Sequence, residues 1–144
     1  MDATLTGTPD ALARLAVDFL AAWNAHDAAG VAAFLAPGYE GVDIAFAAPR
    51  AGDQAREAIA RYLTAFPDLA ITEEETIVQG NRVAVSWTAR GTHRGPLLHI
   101  PPTGRAVAVR GILFLTVAGG KVTRSLCVWD VAGLLRGVGL LPEL

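Results

Sequence analysis

The sequence predicts an α+β domain in which helices cover one face of a curled antiparallel sheet. Two observations carry that expectation. Apolar residues recur with a 3.6-residue period as far as Pro67 and with a period of 2 after it. The helix-like segments come first and the strand-like ones last, with no repeat, linker or low-complexity tract. A chain of 144 residues fits one domain spanning 1–144, long enough to bury about two-thirds of its unfolded surface.

The elements follow in order. Thr8 is the expected N-cap of a first helix, with Pro9 at its first position and Asp10 at the positive end of its dipole. Leu12, Leu15, Ala16, Phe19, Leu20 and Trp23 give it one broad apolar face. Asp27 caps a second, shorter helix carrying Val31, Phe34 and Leu35, stopped by Pro37 and Gly38. Residues 39–46 alternate weakly, as a short strand bearing Glu40 and Asp43. A third helix starts at Asp53, again as a cap, and runs through Ile59, Tyr62, Leu63 and Phe66, and Pro67 ends it. Residues 69–79, 82–92, 105–117 and 121–131 read as strands, with tight turns at Gly80-Asn81 and Gly119-Gly120. The proline-rich segment 93–104 is a longer loop.

Composition narrows the partners. Hydrophobic residues make up 52% and charged residues 18%, as in a globular chain. A formal charge of −2 leaves no basic footprint, so neither nucleic acid nor an anionic membrane is expected as a partner. No uncharged apolar run approaches the length of a membrane span, and no signal peptide is expected. The single Cys127 cannot close an internal disulfide, so the expected setting is reducing and cytoplasmic. Three scattered histidines and one cysteine lack metal-ligand spacing, and neither a G-x-S-x-G elbow nor a phosphate loop is present.

The last strand carries the first candidate. Val122, Leu126 and Val128 sit at even positions and Asp130 continues that face. Parity thus sets a carboxylate at the end of an apolar row, where it costs free energy unless paired or used. The bland alternative is an N-cap on the short helix that follows. By the same parity Thr123, Ser125, Cys127 and Trp129 face outward, which would suit a sheet-to-sheet homodimer. His93 shares its strand's apolar face with Val83, Val85 and Trp87, so both His93 and Trp87 should point inward, His93 toward a substrate oxygen, toward Asp130 or toward backbone. Trp23, Trp87, Trp129 and Phe46 are candidate flat walls of a pocket, or plain core, with parity turning Trp129 away from Asp130. His99 belongs to the loop rim and His26 to a helix-to-helix turn.

The segments AAWNAHDAAGVAAFLAPGY, AFPDL, VAVSWTARGTHRG, IPPTGRAVAVRGI and GGKVTRSLCVWDVAGLLRGVGLLP resemble, in order and spacing, the SnoaL-like polyketide cyclase family. That family belongs to the nuclear-transport-factor-2-like superfamily. The resemblance implies a cone-shaped sheet closed by three N-terminal helices around a pocket, with no metal or cofactor. It implies a small apolar or polycyclic substrate and an aspartate that serves as general acid and base in an intramolecular aldol closure, matched here by Asp130. Steroid isomerases of the superfamily use an aspartate on the first strand, where Asp43 falls, and a tyrosine on the first helix, where Phe19 stands with no proton to donate. Resemblance and strand parity together give Asp130 and His93 as the candidate catalytic residues, with Asp43, Phe19, Trp23, Trp87, Phe46 and His99 around the substrate. The alternatives are another cofactor-free isomerase or hydrolase in the same pocket, and a binding domain without chemistry.

Overall fold

A computed structural model describes residues 7–144. Helix α1 is Pro9–Asn24, capped by the Thr8 hydroxyl, which accepts from the Ala11 amide at 3.1 Å. Helix α2, Ala28–Ala32, is capped by Asp27. It is shorter than the sequence suggests. The Val122 amide donates to the Phe34 carbonyl at 2.8 Å and the Lys121 ammonium to the Ala33 carbonyl at 2.6 Å. The end of the sheet therefore captures the chain, and Leu35 opens strand β1, Leu35–Asp43, instead of closing a helix. A two-residue strand β2, Arg50–Ala51, precedes helix α3, Gly52–Ala65. The cap of α3 is Ala51 and not Asp53, because the Gln54 side chain reaches back to accept from the Ala51 amide at 2.9 Å.

Strands β3 (Ala70–Gln79), β4 (Arg82–Thr92), β5 (Ala106–Ala118) and β6 (Lys121–Trp129) follow, and helix α4, Val131–Gly137, ends the fold. The sheet order is β2-β1-β6-β5-β4-β3. The last four strands are antiparallel, as the alternation predicts, and β1 joins parallel to β6, which makes the whole sheet mixed. Among the described residues no helix is long and apolar enough to cross a membrane.

The core lies between α1, α3 and the inner face of the sheet: Leu12, Ala16, Phe19, Leu20 and Ile59 pack on Val83, Val85, Leu113, Leu115 and Val117. The end of α1 is fixed by Asn24, whose side chain donates to the Ile71 carbonyl at 2.8 Å and accepts the Ile71 amide at 2.7 Å. One side-chain amide thus substitutes for a strand partner at the start of edge strand β3.

One irregularity decides which side chains reach the interior. Thr116 pairs with Arg124, but Val117 pairs with Val122, so Thr123 is an extra residue in β6. Its hydroxyl donates to the Thr116 carbonyl at 3.2 Å. A one-residue bulge reverses the faces of everything beyond it. Val122 is fully buried, yet from Ser125 onward the odd residues point inward, and Leu126 and Val128 stand 36% and 40% exposed on the outer face. The expectation that Ser125, Cys127 and Trp129 face outward, and that Asp130 continues the buried row, is corrected by this bulge.

Candidate active site

The inner face of the sheet, α1, α3 and α4 enclose a cavity of about 210 Å³. Its walls are Phe19, Leu20 and Trp23 from α1, Ile59 and Tyr62 from α3, Trp87 and Ala89 from β4, and Leu113 from β5. Leu134 of α4 closes one end. Gly111 lies opposite both Trp87 and Trp129 in the sheet, and a Cβ there would collide with the Trp87 indole and press on Trp129. Its lack of a side chain is what lets two indoles share this wall.

Polar groups are few. β1 brings Tyr39, Gly41 and Asp43 to the cavity, and β6 brings Ser125, Cys127 and Trp129. Gly41 pairs with Ser125 and Asp43 with Cys127 across the parallel β1–β6 ladder. Asp43 is the hub. Its Oδ1 accepts from the Trp129 indole at 2.8 Å and from the Ala45 amide at 2.9 Å, and its Oδ2 accepts from the Tyr62 hydroxyl at 3.1 Å. A carboxylate offers about four acceptor positions, so one on Oδ2 is left for the cavity. The Tyr62 ring stands edge-on to Trp129, with centroids 6.4 Å apart.

The electrostatics keep the neighbours neutral. Burial, then the Asp43 charge and the hydrogen bond to it, hold the Tyr62 phenol above its ordinary value, so it remains a donor. Burial, then the Asp43 charge, pushes the Cys127 thiol up to about 12. Cys127 is therefore no nucleophile at neutral pH. Because the folded value is raised, its contribution to stability is complete below the ordinary value of 9.0 and is lost as pH climbs toward about 12. At pH 8 Cys127 is expected to react with Ellman's reagent only on unfolding. Prompt stoichiometric labelling of the native protein would contradict this placement.

Asp130 lies elsewhere. Its Oδ1 accepts from the Gly133 amide at 2.8 Å, its Oδ2 sits 3.9 Å from Arg136, and its side chain is 51% exposed. It caps α4 and does not line the cavity. His93 is fully buried, as its strand parity requires, but it also lies outside the cavity lining. Its Nδ1 accepts the Thr103 amide at 3.3 Å and lies 3.0 Å from the Thr103 hydroxyl, so the ring closes the 93–104 loop on itself. It leans on Phe66, which does line the cavity. Phe46 supports the Arg50 guanidinium, 3.9 Å from its ring centroid, and Arg50 rather than Phe46 reaches the cavity. His99 is exposed on the loop. The structure thus brings Asp43, Phe19, Trp23 and Trp87 together and leaves out Asp130, His93, Phe46 and His99. The sequence reading missed Tyr39, Tyr62, Ser125 and Cys127 and turned Trp129 outward, whereas all five line the cavity. The signal for one of these was present: Tyr39 shares its parity in β1 with Asp43, on the other side of Gly41.

Helices packed into a curled sheet around an apolar cavity make up a ketosteroid isomerase-like fold. A protein with that fold from Catenulispora acidiphila superposes with a TM-score of 0.75 at 19% identity, over 94% of this chain and 96% of its own. The chain belongs to the SnoaL-like polyketide cyclase family, whose model matches residues 13–138. TsrD from Streptomyces laurentii is 29% identical with a TM-score of 0.83, over 94% of this chain and 99% of that one. AclR from Streptomyces galilaeus, a proposed hydroxylase, is 26% identical with a TM-score of 0.87, over 95% and 90%. No curated protein matches the chain.

Proposed function

We propose that this protein is a cofactor-free, cyclase-like enzyme in which Asp43, and not Asp130, is the general acid and base acting on an apolar polycarbonyl substrate. The observation that carries the proposal is the free acceptor position of Asp43 Oδ2 inside an apolar cavity. Oδ2 takes a proton from a carbon between two carbonyls. The resulting enolate forms a carbon–carbon bond to a third carbonyl, and the proton held on Asp43 passes to the new alkoxide. Tyr62 and Trp129 fix the carboxylate, and Trp23 and Trp87 give flat surfaces for the folded chain. The family membership supports the reaction class.

The test uses 2-tetralone, a fused-ring ketone with acidic C1 hydrogens, in D2O. Catalysed exchange that is lost in Asp43→Asn and kept in Asp130→Asn supports the proposal. Exchange kept in Asp43→Asn overturns it. One observation favours a second reading, a pocket that binds without chemistry: Asp43 already accepts three hydrogen bonds, as a purely structural carboxylate would. Binding of 2-tetralone without any exchange above background would select that reading.

The proposal extends to assembly. Ile112 pairs with Val128 and Phe114 with Leu126 on the outer face, where Ile112, Leu126 and Val128 are 36–42% exposed. A second copy laid against this face would bury a contiguous apolar patch. Sedimentation at micromolar concentration is expected to give a dimer, and Leu126→Asp a monomer. A monomeric native protein would remove this part.

A further inference from the structure

A second polar place in the cavity has no part in the proton transfer. Tyr39 is 9% exposed, and its hydroxyl lies 2.5 Å from the Ser125 hydroxyl. The tyrosine reaches Ser125 across Gly41: a Cβ on Gly41 would collide with the Tyr39 hydroxyl and crowd the Ser125 oxygen. The missing side chain of Gly41 is thus the slot in which the pair forms. Both residues line the cavity, among Phe19, Leu35, Ile59 and Leu113.

The proton inventory does not close within the protein. Two hydroxyls carry two donor protons. The contact between them uses one, whichever hydroxyl donates. Among the described residues neither oxygen has another hydrogen-bond partner. Burial holds the Tyr39 phenol above its ordinary value, against a smaller opposing effect of the Ser125 hydrogen bond, so both protons stay in place. One O–H is therefore unspent in an apolar surrounding, where an unmade hydrogen bond is costly.

We infer that the Tyr39–Ser125 pair is a second polar station, donating a hydrogen bond to a carbonyl or hydroxyl oxygen of the substrate. It rests on the reading of this cavity as a substrate site with Asp43 at its reacting end. The spacing follows from the ladder. Ser125 pairs with Gly41, two residues before Asp43 on β1, and two residues of strand span about 7 Å. The substrate class this selects is an apolar fused-ring or folded polycarbonyl compound with two oxygen functions along one edge. The one near Asp43 flanks the acidic carbon and the other meets the hydroxyl pair.

The test is binding of 2,7-dihydroxynaphthalene, whose hydroxyls lie on one long edge, against 2-naphthol, followed by ligand and tryptophan fluorescence. The native protein is expected to favour the diol by about 3–10-fold, the worth of one ordinary hydrogen bond. Tyr39→Phe and Ser125→Ala each remove one proton and one partner, leaving one proton unspent, so each is expected to keep the preference. The double variant has no proton left and is expected to lose it while binding 2-naphthol as before. No preference in the native protein overturns the inference, whatever the variants do. So does a preference kept in the double variant, or abolished by either single change, which would mark the pair as merely structural. Asp43→Asn separates the two readings. It is expected to weaken both ligands alike and keep the preference. If it changes neither ligand while the double variant still loses the preference, the Asp43 reading fails and the second station stands.

Discussion

Asp43→Asn is expected to slow exchange of the C1 hydrogens of 2-tetralone by about 10²–10⁴-fold, the range that a positioned general base supplies. The loss should be in chemistry and not in folding. Asparagine has the shape of the carboxylate, and its oxygen can still accept from the Trp129 indole and the Ala45 amide, now at 2.8 and 2.9 Å. Its amide nitrogen would face the Tyr62 oxygen, which can accept as well as donate. What asparagine lacks is a lone pair basic enough to take a proton from carbon. Asp130→Asn should leave exchange unchanged, because that carboxylate meets the Gly133 amide and Arg136 and no cavity atom. Asp130→Ala should cost about 0.5–2 kcal/mol of stability through the lost cap. Thermal melts alongside the exchange rates decide the matter. A stable Asp43→Asn protein with full exchange, or an Asp130→Asn protein without it, would sink the assignment.

Deleting Leu126 is expected to have the largest effect on the fold, and deleting Thr123 almost none. Thr123 is the surplus residue, so without it Val122 still meets Val117, Arg124 still meets Thr116 and Ser125 still meets Leu115, and every face is kept. Beyond the bulge the two strands match residue for residue, and removing Leu126 leaves β6 two poor choices. If the bulge stays, Val128 moves inward and Cys127 and Trp129 move out, which exposes an indole and leaves Asp43 without its 2.8 Å donor. If the bulge is consumed instead, Arg124 comes opposite Leu115 on the inner face and Ser125 turns out. Either loss is at least comparable to truncating one large buried side chain, about 3–5 kcal/mol. Thr123→Ala removes only the hydrogen bond to the Thr116 carbonyl, at a cost of about 1 kcal/mol. Chemical denaturation should therefore separate the two deletions clearly. A Leu126 deletion as stable as the protein without Thr123 would show that the bulge does not set the register.

The same bulge divides what the sequence by itself determined from what it did not. The switch of period at Pro67 determined the helices-first, strands-last order. Pro67 also set the end of α3, and the alternation in β4 put Trp87 and His93 inside with Val83 and Val85. These are local properties, written in the spacing of apolar residues along one segment. The caps at Thr8 and Asp27 were legible for the same reason, since each acts on an amide three residues away.

The site was decided by pairing between segments. Parallel addition of β1 to β6 sets Asp43 beside Cys127, although 84 residues of chain separate them in the numbering from 43 to 127. The Lys121–Phe34 end of the sheet unwinds the second half of the expected α2 and creates the strand that carries Tyr39 and Asp43. The bulge at Thr123 then inverts the outer half of β6, trading Asp130 for Trp129 on the inner face. A period of 2 read along β6 contains no sign of that extra residue, because a bulge is a mismatch in count between two strands and exists only once both are paired. Strand identity is a property of the segment, whereas the face each side chain presents is a property of the sheet.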